Sequence, residues 1–164
     1  MDVKKKFGTT VKVEKEHILE IPEGLFGFED YKYFAVIKSE YPPFMWMQST
    51  QEMRLAFMII DPFIVAPDYE LDVDDKALSK IGITSPSDVH VMALVTVPSD
   101  GSPVTANLQG PLVINRTNQK CMQVILNNNK WSTKHDIAKA LKENSAASKE
   151  DAESKKASSQ NGGL

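Results

Sequence analysis

The sequence predicts a mainly β protein, a single domain built on a strongly bent antiparallel sheet or a small barrel-like sheet, with one or two short helices. Short apolar runs separated by Pro, Gly and Asn recur from residue 11 to residue 126, a pattern typical of many short strands. The chain has 164 residues, of which 41% are hydrophobic and 25% charged. This length and composition suit one water-soluble globular domain with its own hydrophobic core.

Eight segments carry the strand pattern. They are, in chain order, VKVEKEHILEI (11–21), YFAVIK (33–38), FMWMQ (44–48), LAFMII (55–60), HVMALVTV (90–97), TANLQ (105–109), PLVIN (111–115) and CMQVIL (121–126). Between residues 89 and 97 every odd position is Val or Ala, while the even positions are mixed, which predicts a central strand. Both parities are apolar over 55–60, which predicts cover on both faces in the middle of the core.

One internal helix is predicted from Val73 to Ile81. Asp72 is a suitable N-cap, acidic residues follow in the first turn, and Gly82 comes after the helix as a left-handed stop. Val73, Ala77 and Ile81 are spaced four apart, so we expect them to form the buried stripe. A second, weaker pattern predicts a helix from about residue 135 to residue 141.

The C-terminal segment differs in composition from the rest of the chain. From residue 142 it reads KENSAASKEDAESKKASSQNGGL, without an aromatic or β-branched residue. Such a segment buries too little apolar area to offset its ordering entropy. The predicted organisation is one domain, residues 1–141, followed by a disordered polar tail, residues 142–164.

Charge, cysteine content and apolar run length limit the class of protein. The net charge of −3 disfavours contact with phosphate backbones, so nucleic acid is not expected as a direct ligand. The single Cys121 has no partner for an internal disulfide, and the start MDVKKKFG lacks the apolar stretch of a secretory signal. No apolar run approaches the ~20 residues that span a bilayer. We therefore expect a cytoplasmic protein without a membrane segment.

Asp61-Pro62, at the end of an apolar run, invites a catalytic interpretation, because a carboxylate at a buried strand end can act as a general acid or base. No nucleophile, metalloprotease or Cys-His signature accompanies it. The favoured interpretation is an Asx-type turn in which Asp61 accepts backbone N–H bonds and Pro62 sets φ. A pocket that joins Asp61 to His90 or His135 would instead favour an enzyme.

Metal and phosphate sites are not predicted. The His and Cys residues are scattered at positions 17, 90, 121 and 135, whereas structural zinc needs close paired spacings. Cys121 is therefore interpreted as a small buried apolar residue. The segment GLFGFE (24–29) lacks the remaining features of a phosphate loop, so its glycines are interpreted as turn residues. No cofactor is expected.

Two features point to a surface for a partner. Acidic residues recur at positions 68, 70, 72, 74 and 75; a helix N-terminus explains the last three but not Asp68 and Glu70. A calcium loop counted from Asp68 would need Gly and Glu where Val73 and Ser79 stand. Aromatic and methionine side chains form the second feature, with core packing as the alternative interpretation: Phe44, Met45, Trp46, Met47, Met53, Phe63 and Tyr69.

Several strings, in this order, resemble the FliW family of flagellar assembly factors. They are IPEGLFGFEDYKYF (21–34), PFMWMQST (43–50), LAFMIIDPF (55–63), PDYE (67–70), VTANLQGPLVIN (104–115) and QVIL (123–126). The resemblance covers roughly residues 12–137, and the TANLQ-x-P-x-VIN segment is its most specific part. The family pattern of a Tyr followed by Arg-His-Pro is replaced here by Trp131 and Lys134-His135-Asp136, which weakens any role assigned to that region.

The resemblance implies a non-catalytic partner switch in the cytoplasm. Proteins of this family are small mainly β domains that bind new flagellin in a chaperone-like role and, when free, bind the translational repressor CsrA. Binding antagonises CsrA allosterically and so relieves its repression of flagellin synthesis, which couples translation regulation to flagellum assembly. The alternative class is a β-barrel nucleic-acid-binding module, which would need clustered basic and aromatic residues.

The partner-binding residues are assigned by charge and polarity. An acidic face suits CsrA, which must be basic where it holds RNA, and Asp68 and Glu70 are its candidates. An apolar groove suits a terminal amphipathic helical segment of flagellin. The candidates for that contact are Trp46, Met47, Phe63 and Tyr69.

Overall fold

The structure is a computed structural model, and it describes residues 1–6, 8–127 and 129–142. The predicted tail lies outside these residues from position 143 onward. Eleven strands are observed in this part of the chain: β1 (Asp2–Lys4), β2 (Thr10–Lys12), β3 (Ile18–Glu20), β4 (Tyr33–Lys38), β5 (Met45–Ser49), β6 (Ala56–Ile60), β7 (Val89–Thr96), β8 (Thr105–Ala106), β9 (Leu112–Asn115), β10 (Cys121–Gln123) and β11 (His135–Asp136). The helices are α1 (Pro62–Val65), α2 (Asp75–Ser79) and a last one, α3, over 137–142.

Nine of the strands form one antiparallel sheet. Its main path is β10-β9-β7-β6-β5-β4-β3, and β8 joins it through β7 and in turn pairs with β11. An isolated bridge between Glu20 and Lys120 brings β3 close to the start of β10, but the sheet does not close into a barrel. The mainly β class with a bent antiparallel sheet is thus confirmed, and the closed form of the alternative is not adopted.

Strand β7 is the centre of the sheet, as its alternation predicts. It pairs with β9 through Val89–Met92, with β6 through Ala93–Val95 and with β8 through its last residues. Its odd residues Val89, Val91, Ala93 and Val95 pack in one hydrophobic cluster, while Met92 and Leu94 belong to another. Neighbouring residues of a strand point to opposite faces, so the two faces of the sheet carry separate cores.

The apolar segment 55–60 is buried only at its C-terminal end. Ile59 and Ile60 are fully buried in opposite cores, whereas residues 55–58 are partly exposed. The expectation of full cover on both faces is therefore wrong for the first part of the segment. Side chains such as Phe57 instead border an open groove described below.

The N-terminal prediction also needs correction, because the run 11–21 does not form one strand. It divides into β2, a 3-10 turn over Lys15–His17, and β3. Strands β1 and β2 form a separate hairpin, in which Val3 pairs with Val11. This hairpin packs on the large sheet through a third, small cluster containing Val3, Val13, Ala35 and Ile37.

The predicted helix at 73–81 is present but begins later. Helix α2 starts at Asp75, and its N-cap is Asp74, whose carboxylate accepts a 2.7 Å hydrogen bond from the Ala77 N–H. Asp72 is therefore not the cap. Gly82 has φ of 79°, the left-handed stop that the sequence predicts, and the stripe of Val73, Ala77 and Ile81 packs against the first cluster.

The second predicted helix also starts later than expected. His135 and Asp136 pair with β8, and helix α3 follows from residue 137, with the Asp136 carboxylate accepting from the Lys139 N–H at 3.0 Å. Among the described residues no helix is long and apolar enough to cross a bilayer.

The turn interpretation of GLFGFE is confirmed, since Gly24 has φ of 73° and a Cβ there would lie 2.4 Å from the Glu29 Cα.

Candidate partner-binding face

Helix α1 follows β6 directly and presents apolar side chains to solvent. Asp61 caps it, because its carboxylate accepts a 2.9 Å hydrogen bond from the Phe63 N–H, and Pro62 occupies the first helical position. The turn interpretation of Asp61-Pro62 is thereby confirmed, with a one-turn helix added. Val65 faces the core, whereas Phe63 and Ile64 are 44% and 40% exposed.

The segment after α1 separates its acidic from its apolar side chains by parity. Tyr69, Leu71 and Val73 pack on the first hydrophobic cluster. The acidic residues between them, at positions 68, 70, 72 and 74, are exposed. From Tyr69 onward successive residues alternate between the core and solvent, while Asp68 lies in the preceding turn, in which the Tyr69 N–H donates to the Ala66 carbonyl at 2.9 Å. The alternation gives the segment an outward acidic row, with Asp75 beyond it at the start of α2.

The outward carboxylates have no basic partner within the part of the chain that the structure describes. The ion pairs there join Arg54 to Glu52 and Lys80 to Glu23, and neither includes a carboxylate of the row. Asp74 caps α2, whereas Asp72 does not cap this helix as the sequence predicts. Asp68, Glu70 and Asp72 thus form a set of exposed and unpaired negative charges.

Tyr69, a predicted partner contact, is a core residue in this fold. It is 4% exposed, and its hydroxyl donates a 2.6 Å hydrogen bond to the Leu108 carbonyl. Its ring meets the Phe63 and Trp131 rings edge to face, with centroid distances of 5.7 and 4.9 Å. Burial raises the pKa of its hydroxyl well above the ordinary value. Tyr69 therefore supports Phe63 from beneath and is not accessible to a partner.

The prediction that Met47 and Trp46 share one apolar surface with Phe63 also needs correction. Met47 is fully buried in the cluster on the opposite face of the sheet from Tyr69. Trp46 is partly buried against the third cluster, where it borders a small cavity with Lys5 and Lys6 of the N-terminal hairpin. Trp46, Met47 and Tyr69 lie in three different clusters, because side chains of β5 alternate between the faces of the sheet and Tyr69 packs in the first cluster. Only Phe63 among the four candidates is a strongly exposed side chain.

An open cleft of about 820 Å³ lies beside α1 and α2. Its aliphatic walls include Leu71, Leu78, Ile83, Val89 and Val91, and Phe63 stands at its border. The polar residues along it include Asp61, Asp75, His90 and Arg116. Asp61 and His90 therefore do border one cleft, the arrangement that would favour an enzyme.

The chemistry of this cleft does not complete a catalytic arrangement among the described residues. Its serine hydroxyls are engaged locally, since Ser79 donates to the Lys76 carbonyl at 2.7 Å and Ser85 lies 3.0 Å from the Ser87 hydroxyl. No hydrogen bond joins His90 to these hydroxyls. Burial and the nearby Arg116 lower the pKa of His90, while Asp61 partly opposes this shift. A positioned nucleophile and base, as nucleophilic catalysis needs, are not paired here.

Sequence reasoning missed two features of the surface. Arg116 follows the VIN motif directly, and its Nη2 lies 3.5 Å from His90 Nδ1 while its Nε donates to the Val89 carbonyl at 3.4 Å. A second groove, of about 450 Å³, is lined by Phe57 and Leu94 together with the exposed Phe26 and Ile125. The apolar residues of segment 55–60 and of the loop between β3 and β4 are evident in the sequence, but only the pairing of the strands brings them together as a groove.

Metal-binding potential is low in the described ranges, where no three His, Cys, Asp or Glu residues converge on one point. Cys121 is fully buried in the second cluster, which confirms its interpretation as a small core residue. Burial raises the pKa of its thiol to about 12.

The fold and the site define a small antiparallel β protein with an exposed acidic segment. The model of the family "FliW protein" matches residues 2–137. The chain belongs to the FliW family, which confirms the resemblance noted in its sequence.

Relatives named flagellar assembly factor FliW match most of the chain. That of Treponema denticola is 50% identical over 141 residues, covering 86% of this chain and 96% of its own length. That of Treponema pallidum is 49% identical over 146 residues, with coverages of 89% and 97%. A solved structure described as a crystal structure of the flagellar assembly factor FliW aligns with a TM-score of 0.75 and 34% identity, covering 84% of this chain and 96% of that one.

Proposed function

We propose that this protein is a non-catalytic, cytoplasmic flagellar assembly factor that binds flagellin and, when free of flagellin, binds and antagonises the translational repressor CsrA. The observation that carries the proposal is the acidic row of Asp68, Glu70 and Asp72. These carboxylates are exposed and lack a basic partner in the described residues; Asp68 lies in a turn, and Glu70 and Asp72 follow it. A basic protein surface is the natural complement of such a row.

The apolar part of the proposed face is Phe63 with Ile64, next to the acidic row in the chain. Both are strongly exposed although apolar, and α1 is fixed by the Asp61 cap below them. An exposed apolar pair suits the apolar side of an amphipathic helix. Flagellin is therefore proposed to contact Phe63, and CsrA to contact Asp68 and Glu70.

The apolar pair and the acidic row are neighbours in the chain, so flagellin and CsrA can compete for this protein without any catalytic step. If one molecule cannot hold both partners, free flagellin lowers the amount of this protein available to CsrA by mass action. The relative affinities set the switching point, since each tenfold difference in Kd corresponds to about 1.4 kcal/mol. The cleft supports the non-catalytic assignment, because its serine hydroxyls bond locally rather than to His90.

The test of the acidic row is the double reversal Asp68→Lys with Glu70→Lys. We expect the affinity for purified CsrA to fall by about tenfold at low salt, because both changes remove attraction and add repulsion. The dependence of affinity on salt should also flatten. Calorimetry at two ionic strengths measures both effects.

The matched control is Glu14→Lys with Glu40→Lys, since both residues are exposed and the change in net charge is the same. This control should retain most of the affinity. Equal losses of affinity for CsrA in the two double variants would mean that net charge, and not the position of Asp68 and Glu70, determines binding. Absence of binding between the wild-type protein and both CsrA and flagellin at micromolar concentration would overturn the proposed function.

A further inference from the structure

The cleft beside α1 and α2 holds a cation, Arg116, that forms no ion pair among the residues that the structure describes. Arg116 contacts the Val89 carbonyl and the His90 ring, and it forms no ion pair with any carboxylate of the described residues. Asp61 and Asp75 border the same cleft but are not ion-paired with it. The guanidinium therefore keeps donors available for a ligand.

The surroundings of Arg116 define what such a ligand must contain. The cleft walls are aliphatic, and their volume of about 820 Å³ has room for one or two amino-acid side chains with their backbone. Arginine binds carboxylates in a planar, two-pronged geometry, and such charge-assisted bonds are strong beside apolar surface. The complementary group is thus a carboxylate attached to an aliphatic body.

His90 helps to keep Arg116 in place rather than to compete for the carboxylate. Its Nδ1 lies 3.5 Å from Arg116 Nη2, and its pKa is lowered first by burial and then by Arg116. Near neutral pH the imidazole is therefore uncharged, and the guanidinium is the single positive charge among the residues that line the cleft. The two acidic residues of the cleft, Asp61 and Asp75, disfavour a ligand with several carboxylates.

We propose that this cleft binds a peptide segment of a protein partner in which an aliphatic side chain stands beside a carboxylate, and that Arg116 anchors the carboxylate. The aliphatic side chain lies against Leu78 and Ile83. Phe63 borders the cleft, so the segment extends from the apolar contact of the proposed function into the cleft. The inference rests on the proposed function only where flagellin and CsrA are used as binding partners in the experiments below.

The first measurement uses a synthetic peptide panel that does not depend on the identity of the partner. Each peptide carries a central Leu, Ile or Val beside Asp or Glu, and each has a counterpart with Asn or Gln. Binding to the full chain is followed by fluorescence anisotropy and by methyl NMR shifts of Leu78 and Val91. We expect the acidic peptides to shift these methyl groups and their amide counterparts to bind about tenfold more weakly.

The second measurement replaces the anchor. Arg116→Gln should weaken the acidic peptides by about tenfold, and changing the peptide to its amide form should then have little further effect. Arg116→Lys should restore part of the affinity, because the charge returns without the two-pronged geometry. Arg54→Gln is the matched control, since Arg54 pairs with Glu52 elsewhere on the surface and makes the same change in net charge.

The outcomes separate the inference from the proposed function. Equal affinity of the acidic peptides for the Arg116→Gln and Arg54→Gln proteins, with unchanged melting temperatures, would overturn the inference. So would acidic peptides that do not bind the wild-type protein, or that bind no better than free acetate. If flagellin and CsrA bind the Arg116→Gln protein as tightly as the wild type, the cleft is not part of either interface. If neither protein binds the wild type while the acidic peptides do, the proposed function fails and the cleft assignment stands.

Discussion

Tyr69→Phe tests whether Tyr69 supports the face from within, as its burial indicates. The change removes one oxygen and keeps the ring, so its edge-to-face contacts with Phe63 and Trp131 persist. It also removes the donor of the 2.6 Å hydrogen bond to the Leu108 carbonyl. The Leu108 residue is fully buried, so water does not readily replace the lost donor.

The expected loss follows from the unpaired carbonyl. A buried acceptor that loses its partner costs roughly 1–3 kcal/mol of stability. For a domain of this size each kcal/mol lowers Tm by about 2–4 °C, so a decrease of roughly 2–12 °C is expected. Because the hydroxyl does not reach the surface, affinities for flagellin and CsrA should stay unchanged.

Unfolding can be followed by urea titration and by alkylation of Cys121, a buried thiol with a pKa raised to about 12. Since thiolate is the reactive form, labelling should report opening of the core. Tyr41→Phe is the control, because Tyr41 is 67% exposed and should lose no stability. A Tm equal to that of the wild type, or weaker flagellin binding by a fully folded Tyr69→Phe protein, would refute the reasoning.

Two further changes test the cap and the cleft histidine. Asp74→Ala should lower the free energy of unfolding by about 0.5–2 kcal/mol in urea titration, because it removes the α2 cap. Asp72→Ala, the control, should change this free energy by less than about 0.5 kcal/mol. A larger loss for Asp72→Ala than for Asp74→Ala would identify Asp72 as the cap. Because the pKa of His90 in the folded protein lies below 6.5, the unfolded chain takes up the proton first. Stability should therefore fall as the pH drops below 6.5, and His90→Gln should reduce that slope; equal slopes would contradict the lowered pKa.

Local patterns in the chain were sufficient for most of the architecture. The alternation of residues 89–97 identifies the central strand because a strand exposes successive side chains to opposite faces whatever its neighbours are. Gly82 ends α2 because few other residues adopt its positive φ. The cap was placed two residues early, since both Asp72 and Asp74 have the chemistry of a cap and only the helix geometry selects one.

The structure exposes the acidic candidates for partner contact and buries two of the apolar ones. Asp68 and Glu70 are exposed because carboxylates without partners are costly to bury. Met47 and Tyr69 have the composition of a binding surface and of a core alike, and the packing of β5 and of the segment after α1 placed both inside. Both side chains are therefore inaccessible in this structure, whereas Phe63 is exposed, and the partner contacts themselves stay a prediction.

By itself the sequence determined most of the strands, the family resemblance and the acidic row, because strand period and charge are properties of residues close together in the chain. Only the tertiary structure decided that Asp61 from the end of β6, His90 from β7 and Arg116 from beyond β9 share one cleft. Arg116 is far in sequence from α1, and its lack of a carboxylate partner among the described residues depends on which side chains the sheet brings near it. That information arises from long-range pairing, which no local pattern contains.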